Sequence, residues 1–458
     1  MADLETPFPY QTIGARFLAG KDQALLADDM GLGKSCQAVL ACDLVGARSI
    51  LVFCPASVRV NWEREFHRFS PLDRDGVVLM TGKDEPDASV VVCSYDLLAN
   101  DKLLKKLLAR EWDALVLDEA HYLKERTTKR TKAVYGHGRS PGIISRVKRT
   151  WRLTGTPAPN DASELWTHLK SAGVVTDAYW DFVFRYCKGF DSTYGFKITG
   201  HKNTDELKQL LSQFMLRRKK EEVMQELPPI TFQEVTVERS AVELDPVFYE
   251  QTRMKTTAQF HEELKQADQT LRNALKAIST TSKTPADDKL RVLEGMAGSM
   301  ITLRRYIGMA KLPKICETIA DELETGLIDK IVIFAIHRDV IEHTRQRLAK
   351  YGAVTLYGGT DPAQRQKNID KFQGNGKTRV FIGNVVAAGT GITLTAAHEV
   401  AFIEASWTPS DNAQAAMRCH RIGQTKPVRV RFFSCAGSVD EEVMHTLRRK
   451  TSELSKIF

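Results

Sequence analysis

Short apolar runs alternate with helix-compatible stretches in two separate parts of the chain, and this alternation constrains the fold more than any other feature. In the first third of the chain, the runs are residues 24–28, 49–55, 89–95, 114–120 and 150–157. Toward the carboxyl end, they are residues 331–337, 353–359, 378–384, 399–405 and 428–435. Buried strands that alternate with helices are typical of a parallel sheet covered on both faces. The sequence therefore predicts an α/β fold with two doubly wound parallel-sheet lobes.

The region between the two lobes has a helical pattern. Apolar residues recur at three- and four-residue steps from residue 258 to residue 278, and a second such pattern runs from Leu290 toward Leu303. We expect an antiparallel helical arm whose apolar stripe forms its own core, with a docking surface for a protein partner as the alternative. The predicted domains are a first lobe at 1–235, a helical protrusion at 236–310, and a second lobe with a terminal helix at 311–458.

The composition excludes several other classes of protein. The chain has 458 residues, of which 43% are hydrophobic and 27% charged, as in a globular protein of about three domain-sized units. The eight cysteines form no Cys-x-x-Cys pair, which excludes a zinc ribbon. The amino terminus lacks a signal pattern and no apolar stretch is long enough to span a bilayer, so we expect a cytoplasmic protein without membrane contact. The formal net charge of +8 fits a nucleic-acid partner, and equally fits none.

A loop with two glycines follows the first predicted strand and leads into a helical stretch. It reads Asp28-Asp29-Met30-Gly31-Leu32-Gly33-Lys34-Ser35. Such glycines permit a tight turn whose N–H groups face phosphate oxygens at a helix amino terminus. The lysine of this pattern reaches the β- and γ-phosphates of a nucleotide, and the hydroxyl after it binds Mg²⁺. We therefore predict that residues 29–35 bind ATP, with Lys34 catalytic and Ser35 a metal ligand. The strict pattern has glycine where Asp28 stands.

Two carboxylates, Asp118 and Glu119, stand at the end of the predicted strand 114–120. A carboxylate at a strand tip can hold Mg²⁺, and its neighbour can accept a proton from the water that attacks the γ-phosphate. We predict Asp118 as a catalytic metal ligand and Glu119 as the catalytic base. Without the preceding phosphate loop, the pair would be read as an acidic turn.

Two arginines near the carboxyl end, Arg418 and Arg421, are three positions apart and would share one face of a helix. Positive charge from the second lobe would stabilise the developing phosphate charge only when the lobes close. We predict that both are catalytic and that Gly389, Gly391 and Gln414 contribute to the ATP site. Solvated surface arginines are the alternative.

The ordered motifs resemble a helicase-superfamily-two motor of the Swi/Snf-related type over nearly the whole chain. Pro9-Tyr10-Gln11 is similar to the adenine-reading motif, and residues 28–35, 118–121 and 153–160 are similar to the phosphate loop, the metal-carboxylate motif and the coupling motif. The segment 411–424, which ends in His420-Arg421-Ile422-Gly423-Gln424, and the segment 215–220 carry the most family-specific resemblance. Residues 185–187 and 200–211 resemble the distant, HepA-related branch that contains the annealing helicases.

The resemblance implies two RecA-like lobes that form a minimal, monomeric motor, encoded by a bacterium or a phage. It implies ATP and Mg²⁺ as cofactors, with Gln11 reading the adenine, and movement along double-stranded or forked DNA that rewinds DNA or remodels forks or bound proteins. Loops at the carboxyl ends of strands are where open α/β sheets bind ligands, and their backbone N–H groups and small hydroxyls suit sugar–phosphate contacts. The expected DNA-binding residues are Pro55, Ser57, Ser94, Tyr95, His337, Arg338, Gly358, Gly359 and Asn384.

Two segments carry further expectations. The basic clusters 124–132 and 217–220 would supplement the DNA contacts, with a solvated charged face as the alternative. The segment 136–146 is longer than the resemblance leads us to expect, and we predict a flexible loop there.

Two other functions stay open from the sequence. Asp-Glu-Ala-His at 118–121 also occurs in RNA helicases, although the ending His420–Gln424 and the helical arm disfavour that class. A protein-remodelling or polymerase-associated ATPase, which contacts DNA only secondarily and docks through the helical arm, is the second alternative.

Overall fold

The computed structural model describes residues 4–71, 76–192, 195–224, 226–238, 297–374, 376–388, 392–454 and 457. The chain divides into two compact units, Met1–Leu227 with Lys450–Phe458, and Pro228–Arg449. The predicted boundary at residue 235 falls inside the strand Ile230–Val237, which pairs with Val428–Cys435 in the second unit. The predicted boundary at residue 310 falls inside the helix Ala297–Glu324. The first predicted arm helix, at 258–278, lies outside the described residues.

The described part of the first unit is built on a seven-stranded parallel sheet with the order β3-β4-β2-β5-β6-β1-β9. Two further strands, β7 and β8, form a separate antiparallel hairpin. The strands of the unit are β1 Gln23–Leu26, β2 Ile50–Cys54, β3 Val77–Leu79, β4 Val90–Ser94, β5 Trp112–Asp118, β6 Val147–Leu153, β7 Cys187–Ser192, β8 Gly195–His201 and β9 Met215–Leu216.

Both faces of this sheet are covered, which explains the unbroken apolar runs of its strands. Successive residues of β2, such as Val52 and Phe53, pack into different core clusters on opposite sides of the sheet. The α-helices of the described unit are Pro9–Ala19, Lys34–Leu44, Arg59–Phe69, Asp101–Leu108, Lys129–Tyr135, Trp166–Ser171, Tyr179–Tyr186, Thr204–Ser212 and Lys220–Val223.

The second unit repeats this architecture. Its described strands form a parallel sheet with the order β10-β15-β14-β11-β13-β12. They are β10 Ile230–Val237, β11 Ile331–Ala335, β12 Ala353–Leu356, β13 Val380–Asn384, β14 Glu399–Phe402 and β15 Val428–Cys435. The α-helices that begin within its described residues are Ala297–Glu324, Arg338–Arg347, Pro362–Gly374, Val385–Ala388, Pro409–Ala416 and Val439–Leu454. The predicted fold class, two doubly wound parallel-sheet lobes, is confirmed.

The segment 136–146 contains a compact hydrogen-bonded turn, and its flexibility stays a prediction. The backbone N–H of His137 donates to the carbonyl of Ser140 and the N–H of Ser140 donates to the carbonyl of His137, both at 3.0 Å. Gly136 has φ of 84°, and a Cβ on Gly142 would lie 2.2 Å from the Gly136 nitrogen. The glycines of this segment therefore permit the backbone at 142 to approach the backbone at 136 closely.

Candidate functional site

The phosphate loop lies between the carboxyl end of β1 and the helix Lys34–Leu44, as predicted. Gly31 and Gly33 have φ of 86° and 69°, in the left-handed region that side chains disfavour. A Cβ on Gly33 would lie 2.2 Å from Nε2 of Gln11. Glycine is therefore strongly favoured at position 33, and Ser35 follows in the first turn of the helix.

Gln11 is buried and joins the helix Pro9–Ala19 to the phosphate loop. Its Oε1 accepts a hydrogen bond from the backbone N–H of Phe8 at 2.9 Å, and its Nε2 lies 3.4 Å from the carbonyl oxygen of Leu32. The side chain is thus fixed beside the loop. Its adenine contact stays a prediction.

Lys34 reaches back over its own loop toward the two carboxylates that the sequence singled out. Its Nζ donates to the carbonyl oxygens of Asp28 at 2.8 Å and Asp29 at 3.1 Å. Burial lowers the pKa of Lys34, while the charges of Glu119, Asp28, Asp118 and Asp29 oppose that shift. The loop of β1 and the carboxylates of β5 therefore form one electrostatic cluster.

Asp118 and Glu119 end β5 in a strained arrangement. Asp118 Oδ2 accepts a hydrogen bond from Nε1 of Trp62 at 2.8 Å, and Oδ1 accepts one from the N–H of Glu119 at 3.0 Å. Burial and the neighbouring Glu119 charge raise the pKa of Asp118 to about 7. Glu119 has φ of 49°, a left-handed conformation that is costly for a residue with a side chain.

This donor set fits a magnesium ion that is shared with a nucleotide. Two carboxylates held together in a half-buried place, one of them with a raised pKa, are relieved of their repulsion by a divalent cation. The described residues contain no cluster of three or more His, Cys, Asp or Glu side chains placed to hold a metal by themselves. Mg²⁺ commonly binds one or two carboxylates and takes its other ligands from water and substrate phosphates.

His121 links the carboxylate motif to the predicted coupling segment. Its Nδ1 lies 3.3 Å from Oε2 of Glu119 and 3.1 Å from Oγ1 of Thr154. The Thr154 hydroxyl oxygen also accepts the N–H of Thr156 at 3.1 Å. The glycine–proline turn at 154–157 is therefore in contact with the hydrolysis motif through a single imidazole.

A second bridge, which the sequence did not predict, holds the far end of the coupling segment. Glu164 accepts hydrogen bonds from Nζ of Lys124 at 2.6 Å and from the backbone N–H of Asn160 at 2.9 Å. Lys124 belongs to the basic cluster that was a candidate for DNA contact. Its ion pair with Glu164 shows that this one member of the cluster has a structural role.

The predicted DNA-binding residues of the first unit lie at neighbouring carboxyl ends of β2 and β4, but only one is exposed. Ser57 is exposed, whereas Pro55 and Ser94 are buried. Tyr95 is stacked between Phe53 and Tyr122, and its hydroxyl donates to the Asp118 carbonyl oxygen at 2.8 Å. The Tyr95 ring therefore belongs to the core and supports the carboxylate motif, and a contact of this strand-end residue with DNA stays a prediction.

The two arginines of the second unit do not share a helical face, because the helix Pro409–Ala416 ends before them. They converge instead on one carbonyl: Nη1 of Arg418 and of Arg421 lie 3.5 and 3.3 Å from the Ile392 oxygen. Arg418 is buried, and its Nε donates to the Gln414 carbonyl at 3.1 Å. Gly389 and Gly391 lie outside the described residues.

The predicted DNA-binding residues of the second unit come together at the carboxyl ends of the neighbouring strands β11, β13 and β12. Arg338, Gly358 and Gly359 are exposed. The Asn384 amide is engaged within the fold, where Nδ2 donates to the Ile336 carbonyl at 2.7 Å and Oδ1 accepts the N–H groups of Val386 and Ala387.

A buried carboxylate that the sequence did not single out orders the loop after β11. Glu404 Oε2 accepts the backbone N–H groups of Ile336 and His337 at 2.9 Å each, and Oε1 lies 2.6 Å from Nδ1 of His337. Burial favours a higher pKa for Glu404, but these contacts with His337 dominate and lower it. An acidic residue at the end of an apolar strand was the available signal.

Comparison with known proteins settles the family. A model described as the SNF2-related domain matches residues 10–290, and one described as the helicase conserved C-terminal domain matches residues 310–423. The chain belongs to the SNF2-related family. It carries the two domains of an SNF2-related, helicase-like ATPase, in the order that the motifs predicted.

Relatives of this SNF2-related chain include DNA-annealing enzymes. It is 31% identical over 457 residues to the SWI/SNF-related matrix-associated actin-dependent regulator of chromatin subfamily A-like protein 1 of Xenopus laevis, covering 98% of this chain and 44% of that protein. It is 28% identical over 458 residues to the DNA annealing helicase and endonuclease ZRANB3 of Mus musculus, covering 96% of this chain and 40% of that protein. The chain thus spans less than half the length of these two relatives.

Among solved structures, the Sulfolobus solfataricus SWI2/SNF2 ATPase core in complex with dsDNA matches with 27% identity and a TM-score of 0.44, over 98% of this chain and 94% of that one. None of the described helices of the SNF2-related chain is both long and apolar enough to cross a membrane.

Proposed function

We propose that this chain is an ATP-dependent double-stranded-DNA translocase. The observation that supports this most directly is the cluster at the carboxyl edge of the first sheet. There Lys34 lies within the electrostatic reach of Asp118 and Glu119, and its Nζ is hydrogen-bonded to its own loop. Family membership supports ATP as the nucleotide.

Each residue of the cluster has a proposed role. Lys34 neutralises the β- and γ-phosphates, and Gln11 contacts the adenine. Glu119 orients the attacking water and accepts its proton, and His121 keeps that carboxylate in place. Ser35 and Asp118 would hold Mg²⁺, which supplies positive charge to the phosphate oxygens. Arg418 and Arg421 are the proposed source of further positive charge.

The DNA partner is proposed from the strand-end loops and from the names of the relatives. Exposed Ser57, Arg338 and Gly358 lie at carboxyl ends of strands, where hydroxyl, guanidinium and backbone N–H groups can contact a sugar–phosphate backbone without reading sequence. The annealing activity named for ZRANB3 supports the rewinding of DNA as one outcome of this movement, and we propose double-stranded or forked DNA as its substrate. We further propose that the motor acts as a single chain.

Triplex displacement tests this proposal. Wild-type protein with ATP should displace a triplex-forming strand from duplex DNA without unwinding a forked duplex. Glu119→Gln should bind ATP with unchanged affinity, yet hydrolyse it at least ~100-fold more slowly, because no base receives the proton. Full DNA-stimulated hydrolysis by Glu119→Gln would remove that residue from the site.

The same preparation separates the alternative functions. We expect ATP hydrolysis to be stimulated by duplex DNA more than by single-stranded DNA or RNA. Stimulation by RNA alone would favour the RNA-helicase alternative. Hydrolysis that no nucleic acid stimulates would favour an ATPase that remodels proteins.

A further inference from the structure

The residue that departs from the strict phosphate-loop pattern, Asp28, is a fully buried carboxylate held by one arginine. Oδ1 of Asp28 accepts a hydrogen bond from Nε of Arg218 at 3.0 Å, and Oδ2 accepts a second one from Nη2 of the same guanidinium. Nε2 of Gln37 also donates to Oδ2 at 3.1 Å. This is the two-pronged geometry in which an arginine recognises a carboxylate most strongly.

The same guanidinium also contacts the two helices that pack beside the phosphate loop, Pro9–Ala19 and Lys34–Leu44. Nη1 of Arg218 donates to the carbonyl oxygen of Tyr10 at 2.6 Å, and Nη2 donates to Oε1 of Gln37 at 2.8 Å. Gln37 in turn donates to the carbonyl oxygen of Leu32 at 3.1 Å. One side chain therefore connects the helix that carries Gln11, the start of the phosphate loop and the helix that follows it.

The backbone around Arg218 runs along the start of the loop as well. The N–H of Ala27 donates to the Leu216 carbonyl at 2.7 Å, and the N–H of Asp29 donates to the Arg218 carbonyl at 3.0 Å. The N–H of Lys220 donates to Oδ2 of Asp29 at 3.1 Å. The short strand β9 thus pairs with β1, and the segment that follows it makes further hydrogen bonds to residues 27–29.

These contacts end at the groups that hold Lys34. The carbonyl oxygens of Asp28 and Asp29 are the two acceptors of its ammonium group. The segment 217–220, which the sequence offered as a supplementary DNA contact, has its two arginines directed to the phosphate loop: Arg217 Nη1 donates to the Ala27 carbonyl at 3.0 Å. Arg217 and Arg218 are therefore better placed to organise nucleotide binding than to meet DNA.

We propose that Arg218 is a positioning residue for ATP. By pairing with Asp28, it holds residues 28–33 and the Lys34 ammonium in the conformation that receives the phosphates. The inference rests on the proposed ATP site and adds a residue that lies 190 positions from Asp28 along the chain. Losing the arginine leaves a buried carboxylate without its cation, so the loop must rearrange.

The experiment is a double-mutant cycle in the full chain, with equilibrium binding of a fluorescent ADP as the main readout. Arg218→Met should weaken ADP binding about tenfold or more and raise the KM for ATP by a similar factor, with kcat at saturating ATP and DNA changed less than about threefold. The ADP affinity of Arg218→Lys should lie between those of the wild type and Arg218→Met, because lysine keeps the charge but not the two-pronged geometry.

The decisive comparison is among Asp28→Asn, Arg218→Met and the double variant that combines them. If the pair acts as a unit, removing the orphaned charge should restore at least about threefold of the lost ADP affinity. Losses that simply multiply in the double variant, or an Arg218→Met protein that binds ADP like the wild type, would overturn the inference. Circular dichroism and melting show whether each variant is folded, and Arg218→Lys keeps the inference testable if Arg218→Met is not.

Two controls separate this inference from the proposed function. Arg68→Met breaks an arginine–carboxylate pair of the same unit, with Glu5, that is about half exposed, and it should leave ADP affinity unchanged. Lys34→Ala should abolish tight ADP binding. If Lys34→Ala binds ADP normally, the ATP site itself is misplaced; if only the Arg218 variants bind normally, the positioning role alone fails.

Discussion

Two single residues of the site, Glu119 and Asp118, are held in states that destabilise the free protein. Glu119 adopts φ of 49°, which is unfavourable by about 1–2 kcal/mol for a residue with a Cβ. Asp118 is held beside it with a pKa of about 7. Such strain persists where the surrounding structure over-determines it, here through Trp62, Tyr95 and His121. The carboxylate pair is therefore arranged for a ligand rather than for stability of the free protein.

Asp118→Asn is expected to stabilise the nucleotide-free protein in a pH-dependent way. The pKa of Asp118 is raised from 3.8 to about 7 on folding, so between these pH values the folded state binds a proton that the unfolded chain has released. Its contribution to the free energy of unfolding therefore falls as the pH rises from about 4 to about 7. The variant should equal the wild type near pH 4 and exceed it by about 1–3 kcal/mol near pH 8.

Urea unfolding at several pH values measures this difference, with ATP hydrolysis measured in parallel. Asp118→Asn should lose hydrolysis while it gains stability. The same substitution at exposed Asp181 should change the free energy of unfolding by less than about 0.5 kcal/mol at every pH. A variant that is no more stable than the wild type at pH 8 would contradict the assigned pKa.

At the scale of elements, β6 shows how one strand serves both core and site. Trp151 and Leu153 point to one face, while Thr150, Arg152 and Thr154 are fully buried on the other. Arg152 donates to the Tyr135 hydroxyl at 3.2 Å and to Gln23 Oε1 at 3.0 Å, so its guanidinium is satisfied without a carboxylate. The polar face ends at Thr154, beside His121. A shift of one residue in the register of β6 would move Trp151 to the face where polar groups surround Arg152, and would move Arg152 into the apolar core on the other face.

The elements that the sequence predicted best are strands that are buried on both faces of a sheet. Strands such as β2 and β11, apolar on both faces, were located within three residues because short apolar runs rich in β-branched residues favour buried strands over helices. By contrast, β9 has two residues and β10 is mostly exposed at a sheet edge, so neither carries a periodic signal. The buried pairing of Arg218 was not predicted for a related reason: a basic run is typical of a protein surface, and the partner carboxylate is 190 positions away in sequence.

The turn at 136–142 gives a prediction at this scale. Gly142→Ala should destabilise the protein by about 1–3 kcal/mol, because the new Cβ would lie 2.2 Å from the Gly136 nitrogen and 2.5 Å from the Val134 oxygen. Gly374→Ala is the matched control, since a Cβ there meets no atom within 4 Å. Thermal unfolding of both variants checks this. Equal melting temperatures would mean that the segment yields freely, as a flexible loop would.

At the scale of the whole molecule, the chain consists of two similar α/β units, and each has predicted DNA-binding residues at the carboxyl edge of its sheet. The formal charge of +8 alone decides little, because many cations are already paired inside a unit, as Arg218 and Lys124 are. What matters is which exposed cations lie at that edge. Arg338 follows β11 there, with its guanidinium 4.7 Å from the centre of the Tyr357 ring.

Arg338 should therefore contribute to the salt dependence of DNA binding. Each phosphate that a cation neutralises adds about 0.9 to the slope of log affinity against log salt on duplex DNA. Arg338→Gln should reduce that slope by about 1 and weaken binding alike for unrelated duplex sequences, as measured by fluorescence anisotropy between low and moderate salt. Lys371→Gln removes one positive charge from the same unit, at the last turn of the helix Pro362–Gly374, where the lysine is exposed, and should leave the slope unchanged. Equal slopes for the wild type and both variants would show that Arg338 does not touch a phosphate, whereas equal reductions would show that the net charge, and not the edge of the sheet, attracts DNA.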